Sequence, residues 1–153
     1  MTTTATKLAL ESHLHFNGNA KAAFDFYRKI FGGELSIFTY GDSPMSDRYP
    51  DRADKVLHAR LQIGDAALMG CDVPENYETP RGFNISIQLT EKAEAERIFD
   101  ALADGGEVGM PLQETFWSPR FGMVTDRYGI AWIVNVLPDK GGNGLEIVGA
   151  HHS

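Results

Sequence analysis

The chain has 153 residues, enough for one domain or two small half-domains, and its 42% hydrophobic and 23% charged residues can bury an ordinary core. A net charge of −7 and a pI near 5.1 argue against nucleic acid and anionic membrane as partners, though not against a small anionic ligand. The single cysteine, Cys71, excludes an intrachain disulfide and a zinc site built on cysteines. No run approaches the roughly 18 apolar residues of a membrane span, and the first ten residues lack a signal-peptide core, so a reducing, cytoplasmic setting is expected.

After a loose arm over residues 1–7, Leu8 to Phe16 alternates, with Leu8, Leu10, Leu14 and Phe16 on one side and Glu11, His13 and His15 on the other. Period two with one apolar side predicts a half-buried strand. Asn19 is placed to cap a helix over Ala20 to Phe31, whose buried stripe is Ala23, Phe24, Tyr27, Ile30 and Phe31. Gly32-Gly33 stops it. Leu35 to Tyr40 reads as a strand, 41–54 as a polar loop, and Val56 to Ile63 as a strand presenting His58, Arg60 and Gln62 on its polar side. Gly64-Asp65 turns into a short strand, Ala66 to Gly70, and a second Pro-containing loop is expected over 71–82.

The pattern then restarts. Phe83, Ile85, Ile87 and Leu89 alternate with Asn84, Ser86 and Gln88. Thr90 is placed to cap a helix from Glu91 to about Asp104, with Ile98, Phe99 and Leu102 inward, and Gly105-Gly106 ends it. Strands follow at Glu107 to Leu112, Phe121 to Thr125 and Ala131 to Val136, the last two joined by an Asp126-to-Gly129 hairpin turn. Adding 73 to Leu10, Leu14 and Phe16 gives Phe83, Ile87 and Leu89, and the same shift carries Gly32-Gly33-Glu34 to Gly105-Gly106-Glu107. Such self-similarity predicts a duplicated strand–helix–strand–strand–strand unit. The expected fold class is α+β, with units at 1–76 and 77–137 and a tail at 138–153.

The run ETFWSPRFGMVTDRYGIAWIVN, with HFNGNAKAAFDFYRKIFGGEL near the start, resembles the PhnB-like branch of the vicinal oxygen chelate superfamily, which includes glyoxalase I, the bleomycin- and fosfomycin-resistance proteins and the extradiol dioxygenases. The resemblance implies two βαβββ repeats forming an open cup-shaped sheet with helices on its outer face, and a homodimer. It also implies a small-molecule ligand. Metal-dependent members take His and Glu from the first and last strands of each unit. Carried over, those positions fall at Glu11 or His13, at Asn84, at Ile133, and at Leu68 counting from Gly64. Ile and Leu cannot ligate and Asn does so poorly, so no metal or other cofactor is expected at that set. His15 or His58 could build a different divalent-metal site.

By the same alternation the sides away from the helices carry Glu11, His13, His15, Arg60, Asn84 and Ser86 as ligand-binding candidates, joined by Phe116 and Trp117 of the aromatic loop. His13 and Glu114 are the candidate acid–base groups; Glu114 qualifies if its aromatic neighbours bury it, whereas pairing with Arg120 or Arg127 would make it structural. Cys71, beyond a short strand, reads as a structural thiol. Three functions compete: a non-catalytic binder or sequestering protein, an enzyme (metal-dependent through non-standard ligands, or metal-free through Glu114 and a histidine), and a dimeric scaffold. The branch is often labelled demethylubiquinone-methyltransferase-like, but no glycine-rich nucleotide loop for S-adenosylmethionine is present.

Overall fold

The computed structural model describes residues 7–138, so the arm expected over 1–7 (but for Lys7) and the tail expected over 138–153 (but for Pro138) lie outside the described residues; the described residues form two compact units divided between Glu78 and Thr79. The first contains β1 (Ser12–Phe16), α1 (Ala20–Phe31), β2 (Glu34–Thr39), β3 (Val56–Ile63) and β4 (Ala66–Asp72). The second contains β5 (Ile85–Leu89), α2 (Lys92–Ala103), β6 (Glu107–Gln113), β7 (Arg120–Thr125) and β8 (Ala131–Val136). Each unit is a four-stranded sheet, in order β1-β4-β3-β2 or β5-β8-β7-β6. In both, the first and last strands pair in parallel and the other pairs are antiparallel. Ser12 faces Leu68, and its repeat mate Ile85 faces Trp132, so the duplication predicted from the sequence extends to strand register.

In each unit one side of the sheet is sealed by its helix. Ala20, Ala23, Phe24, Tyr27 and Ile30 of α1 are buried, as are Leu14, Phe16, Ala59, Leu61 and Leu68 on the strands. The Phe24 ring lies so close over Gly70 that a Cβ there would stand 2.9 Å from it and 2.7 Å from the Leu14 carbonyl oxygen. In the second unit Ala95, Ile98, Phe99 and Leu102 of α2 are buried, with Val124, Trp132, Val134 and Val136 on the strands. The amphipathic stripes expected of both helices are therefore the faces that pack.

The helix entries differ from expectation. Asn19 makes no side-chain cap bond; the carboxylate of Asp72 does that work from another strand. Its Oδ1 accepts from the backbone N–H of Gly18 (2.8 Å) and Ala20 (2.9 Å), and its Oδ2 from that of Val56 (2.9 Å). Its carbonyl accepts from the Tyr40 hydroxyl (2.8 Å). An acceptor at a helix N-terminus satisfies N–H groups that have no partner in the helix and meets the positive end of the dipole. Thr90 is not the cap of α2 either: the N-cap position falls on Glu91, also without a side-chain bond.

Three strand ends move by two residues or more, and those of β2, β6 and β7 by one. β1 begins at Ser12, not Leu8, and leaves Leu8 80% and Leu10 90% exposed. β5 begins at Ile85, leaving Phe83, the repeat mate of Leu10, half exposed. In both units the apolar alternation runs past the start of the parallel pairing, which begins at Ser12 and at Ile85. β4 runs on to Asp72, two residues beyond the predicted end, so the following loop starts later and Cys71 belongs to a strand. The expected hairpin turn is present: Gly129 takes φ +87° and its N–H donates to the Asp126 carbonyl (3.0 Å). Buried Asp126 also accepts from the N–H groups of Tyr128 and Ile130 and from the Trp132 indole (2.8 Å).

Asp72→Ala would leave buried N–H groups of two elements without acceptors. A loss of about 3–5 kcal/mol is expected by urea denaturation, with Asp72→Asn intermediate because one acceptor oxygen survives. A loss under about 1 kcal/mol for the alanine variant would show that water replaces the carboxylate.

Candidate functional site

The side of the first sheet opposite α1 carries the most varied chemistry of the described residues. The strand alternation that buries Leu14 and Phe16 turns His13 and His15 the other way. Register sets His13 beside Met69 and His15 beside Cys71 on β4, and Arg60 of β3 beside Met69 on its other flank. The His13 and His15 rings meet edge-on at 5.6 Å between centroids, and His58 of β3 lies 6.0 Å from His13. The ligating atoms of His13, His15 and Cys71 all lie within 4.8 Å of one another.

Two of these groups have shifted proton affinities. Partial desolvation of an otherwise exposed ring, with the neighbouring imidazoles of His15 and His58, holds His13 below its ordinary value and so favours its neutral form. Burial, with the Asp72 carboxylate behind it, pushes the Cys71 thiol up, which makes an uncomplexed Cys71 a poor nucleophile at neutral pH.

Glu11, just before β1, forms a two-pronged pair with Arg60: Nη1 to Oε1 at 2.9 Å and Nη2 to Oε2 at 3.0 Å. The hydrogen bonds from Arg60 hold the Glu11 carboxyl below its ordinary value. Arg60 also donates to Gln62 Oε1 and approaches Met69 Sδ at 3.2 Å. The guanidinium expected to serve an incoming anion is thus largely committed to its own sheet, and Glu11 is an ion-pair partner before it is a ligand contact.

The corresponding side of the second sheet is milder. Asn84 is exposed ahead of β5; Ser86 stands beside Ile133 and Gln88 beside Asn135. The Gln88 amide donates to Ser86 Oγ (2.5 Å) and its Oε1 accepts from Asn135 Nδ2 (2.7 Å). Asn135 Oδ1 is buried without a partner among the described residues. The register also corrects one carried-over position. Ile133 sits beside Ser86, and the residue beside His13, the mate of Ser86, is Met69; Leu68 is a buried mate of Trp132. The one-residue slip arises because the two hairpin turns differ in length, so counting from their glycines loses register.

The aromatic loop is pinned at its base and open at its tip. Buried Ser118 Oγ lies 2.7 Å from the Arg120 carbonyl and 2.9 Å from that of Val136, and the Thr115 N–H donates to the Ser118 carbonyl. Phe116 is 92% and Trp117 38% exposed; Trp117 contacts Phe116 and Phe121 edge-on, at 4.8 and 5.3 Å between ring centroids. The loop is therefore no core plug. Glu114 is exposed as well, so the burial that would make it an acid–base group is missing. Arg120 pairs with Glu96 (3.5 Å) and Arg127 with Asp104 (3.1 Å).

Of the predicted site residues, the first unit brings together Glu11 with Arg60 and His13 with His15. Asn84, Ser86, Glu114, Phe116 and Trp117 all belong to the second unit. Sequence reasoning passed over Cys71 and Met69 as members of the first-unit face, and Asn135 in the second. The usable signal was alternation continued through β4, with Leu68, Gly70 and Asp72 on one side and Met69 and Cys71 on the other.

Residues 9–135 match the family model described as 3-demethylubiquinone-9 3-methyltransferase. The crystal structure of PA1353 from Pseudomonas aeruginosa is 46% identical and superposes with a TM-score of 0.80, covering 87% of this chain and all of that one. A PhnB protein from Bacillus cereus, whose description carries the same methyltransferase name, is 25% identical with a TM-score of 0.70, covering 84% and 99% of the two chains. A glyoxalase/bleomycin resistance protein/dioxygenase family enzyme from Burkholderia phytofirmans, 14% identical over 83% of this chain and 98% of its own, shares the fold at a TM-score of 0.57. Two βαβββ units with parallel outer pairing, matched over residues 9–135, place the chain in the PhnB-like family of the vicinal oxygen chelate superfamily.

Proposed function

We propose that this chain is a small-molecule-binding member of its family, with the open face of the first sheet as its polar anchor. The observation that carries this is the gathering of His13, His15, His58 and Cys71 beside the Glu11–Arg60 pair, on the side of β1, β4 and β3 that the helix does not cover. An unspecialised solvated sheet face has little reason to hold three imidazoles and a thiol in contact range. A few convergent polar groups on a rigid sheet are the usual anchor of a small polar ligand.

The superfamily's usual metal set is degenerate in this reading. Beside Glu11 or His13 on the first strand, its other positions hold Asn84, Ile133 and Met69, and neither Ile nor Asn suits a transition metal. Methyl transfer is not carried over from the family description, because the fingerprint of a nucleotide-type cofactor is missing from the sequence. The protein acts as a homodimer in this proposal: Leu8 and Leu10 offer apolar surface in the single chain, and the edge strands of both sheets need cover.

Two measurements test these statements. Light scattering at roughly ten micromolar protein, far above a nanomolar-class dissociation constant, is expected to give twice the chain mass; a monomer there would remove the dimer. A thermal-shift screen of small polar and anionic compounds is expected to find one that raises the melting temperature, and His58→Ala should weaken its binding by about 1–3 kcal/mol. Trp117→Ala should cost only about 1 kcal/mol of stability by urea denaturation, since the ring is not core. A ligand that binds the His58 variant as tightly as the parent would place binding elsewhere.

A further inference from the structure

We propose that His13, His15 and Cys71 form a divalent transition-metal site, with zinc as its type cation, contained within the first unit. His13 and His15 stand two apart on one strand and so share a face, while Cys71 is the register partner of His15 on the neighbouring strand. Two imidazole nitrogens and one sulfur within 4.8 Å of one another need only side-chain rotation to reach the separation of about 3.3–3.8 Å that tetrahedral bonds of roughly 2.0–2.3 Å require. The backbone need not move. Among the described residues, no hydrogen bond occupies the three ligating groups.

The donor set decides the cation class. Imidazole and thiolate favour zinc, cobalt or copper over magnesium and calcium, which want oxygen. On binding, the Cys71 thiol gives its proton to the buffer, and the sulfur–metal bond takes the place of the S–H bond. Two neutral imidazoles and one thiolate leave a divalent ion with a net charge of +1. Three protein ligands with an open fourth position are the pattern of reactive rather than closed structural zinc sites. The His58 ring lies 6.0 Å from that of His13 between centroids. An anionic group or water would fill the open position. The site shares His13 with the positions carried over from metal-dependent relatives, but its other donors, His15 and Cys71, lie outside that set and it uses none of Asn84, Ile133 and Met69.

The test uses the metal alone and does not depend on the small-molecule proposal. The full chain is prepared reduced and stripped of metal, with His151→Ala and His152→Ala so that the tail histidines cannot compete. Calorimetric titration with Zn²⁺ should show one equivalent per chain with a submicromolar Kd. The Co²⁺ form should show a sulfur-to-cobalt charge-transfer band. Cys71→Ser should abolish the band, and His15→Ala should weaken Zn²⁺ binding by about 100-fold or more, beyond what loss of a mere supporting group costs. Each variant is first checked for a parent-like cooperative melt, and His13→Ala stands in for one that fails it. The proposal is overturned by the lack of saturable one-to-one binding, or by affinity unchanged in the folded variants. Failure of the ligand screen with intact zinc binding would sink the small-molecule proposal and leave this one standing.

Discussion

The first unit depends on one buried carboxylate. Asp72 is 1% exposed, and its side chain joins the end of β4 to the entry of α1 and the start of β3 through three backbone N–H groups. A charge so placed is tolerable only because its acceptor capacity is nearly filled by fixed donors and the helix dipole. The second unit uses the same device elsewhere: buried Asp126 organises the β7–β8 turn and holds the Trp132 indole. At the position matching Asp72 the second unit has Val136, beside Leu89 as Asp72 is beside Phe16. Duplication kept the strand order and let each copy find its own way of satisfying backbone groups at a strand end.

That anchor also has a consequence for chemistry. Alternation along a strand is strict, so a side chain fixed inward at 72 turns its neighbour at 71 outward. Cys71 reaches the His13–His15 side because Asp72 is held on the helix side. The corresponding position in the second unit is Asn135, beside Gln88, and the polar groups there bond one another. One copy thus carries imidazole and thiol, the other amide and hydroxyl, on equivalent scaffolds.

Much of this was legible in the sequence. The bounds of α1, β3 and β8 follow from periodicity and glycine stops, and the repeat could be read from fixed spacing alone. What escaped had identifiable causes. Asp72 was read into the loop over 71–82 because a carboxylate in a strand is unexpected; only the tertiary donors around it explain its burial, and they come from distant residues. Ending β4 at Gly70 removed Cys71 from the sheet, and with it the third member of the cluster. Leu8, Leu10 and Phe83 continue an apolar pattern that propensity reads as strand, but a strand needs a partner. Arg60 and Glu11 were both read as facing a ligand, whereas opposite charges on adjacent strands satisfy each other first.

The strand cluster and the aromatic loop differ in how firmly their side chains are placed. His13, His15, His58 and Cys71 are fixed by register between hydrogen-bonded strands, so their relative positions vary only through side-chain rotation. Phe116 and Trp117 hang from a loop tied at Ser118, and their contacts are edge-on aromatic ones that survive considerable rocking. Directional bonds to a ligand or an ion demand placement to a few tenths of an ångström, which a sheet provides and a loop tip does not. Stacking demands only area and tolerates sliding. The two features therefore differ in physical kind: the strand cluster is placed for directional bonds and the loop tip for stacking. Within the duplicated scaffold, residues 13, 15, 58 and 71 are held to a tolerance that residues 116 and 117 are not.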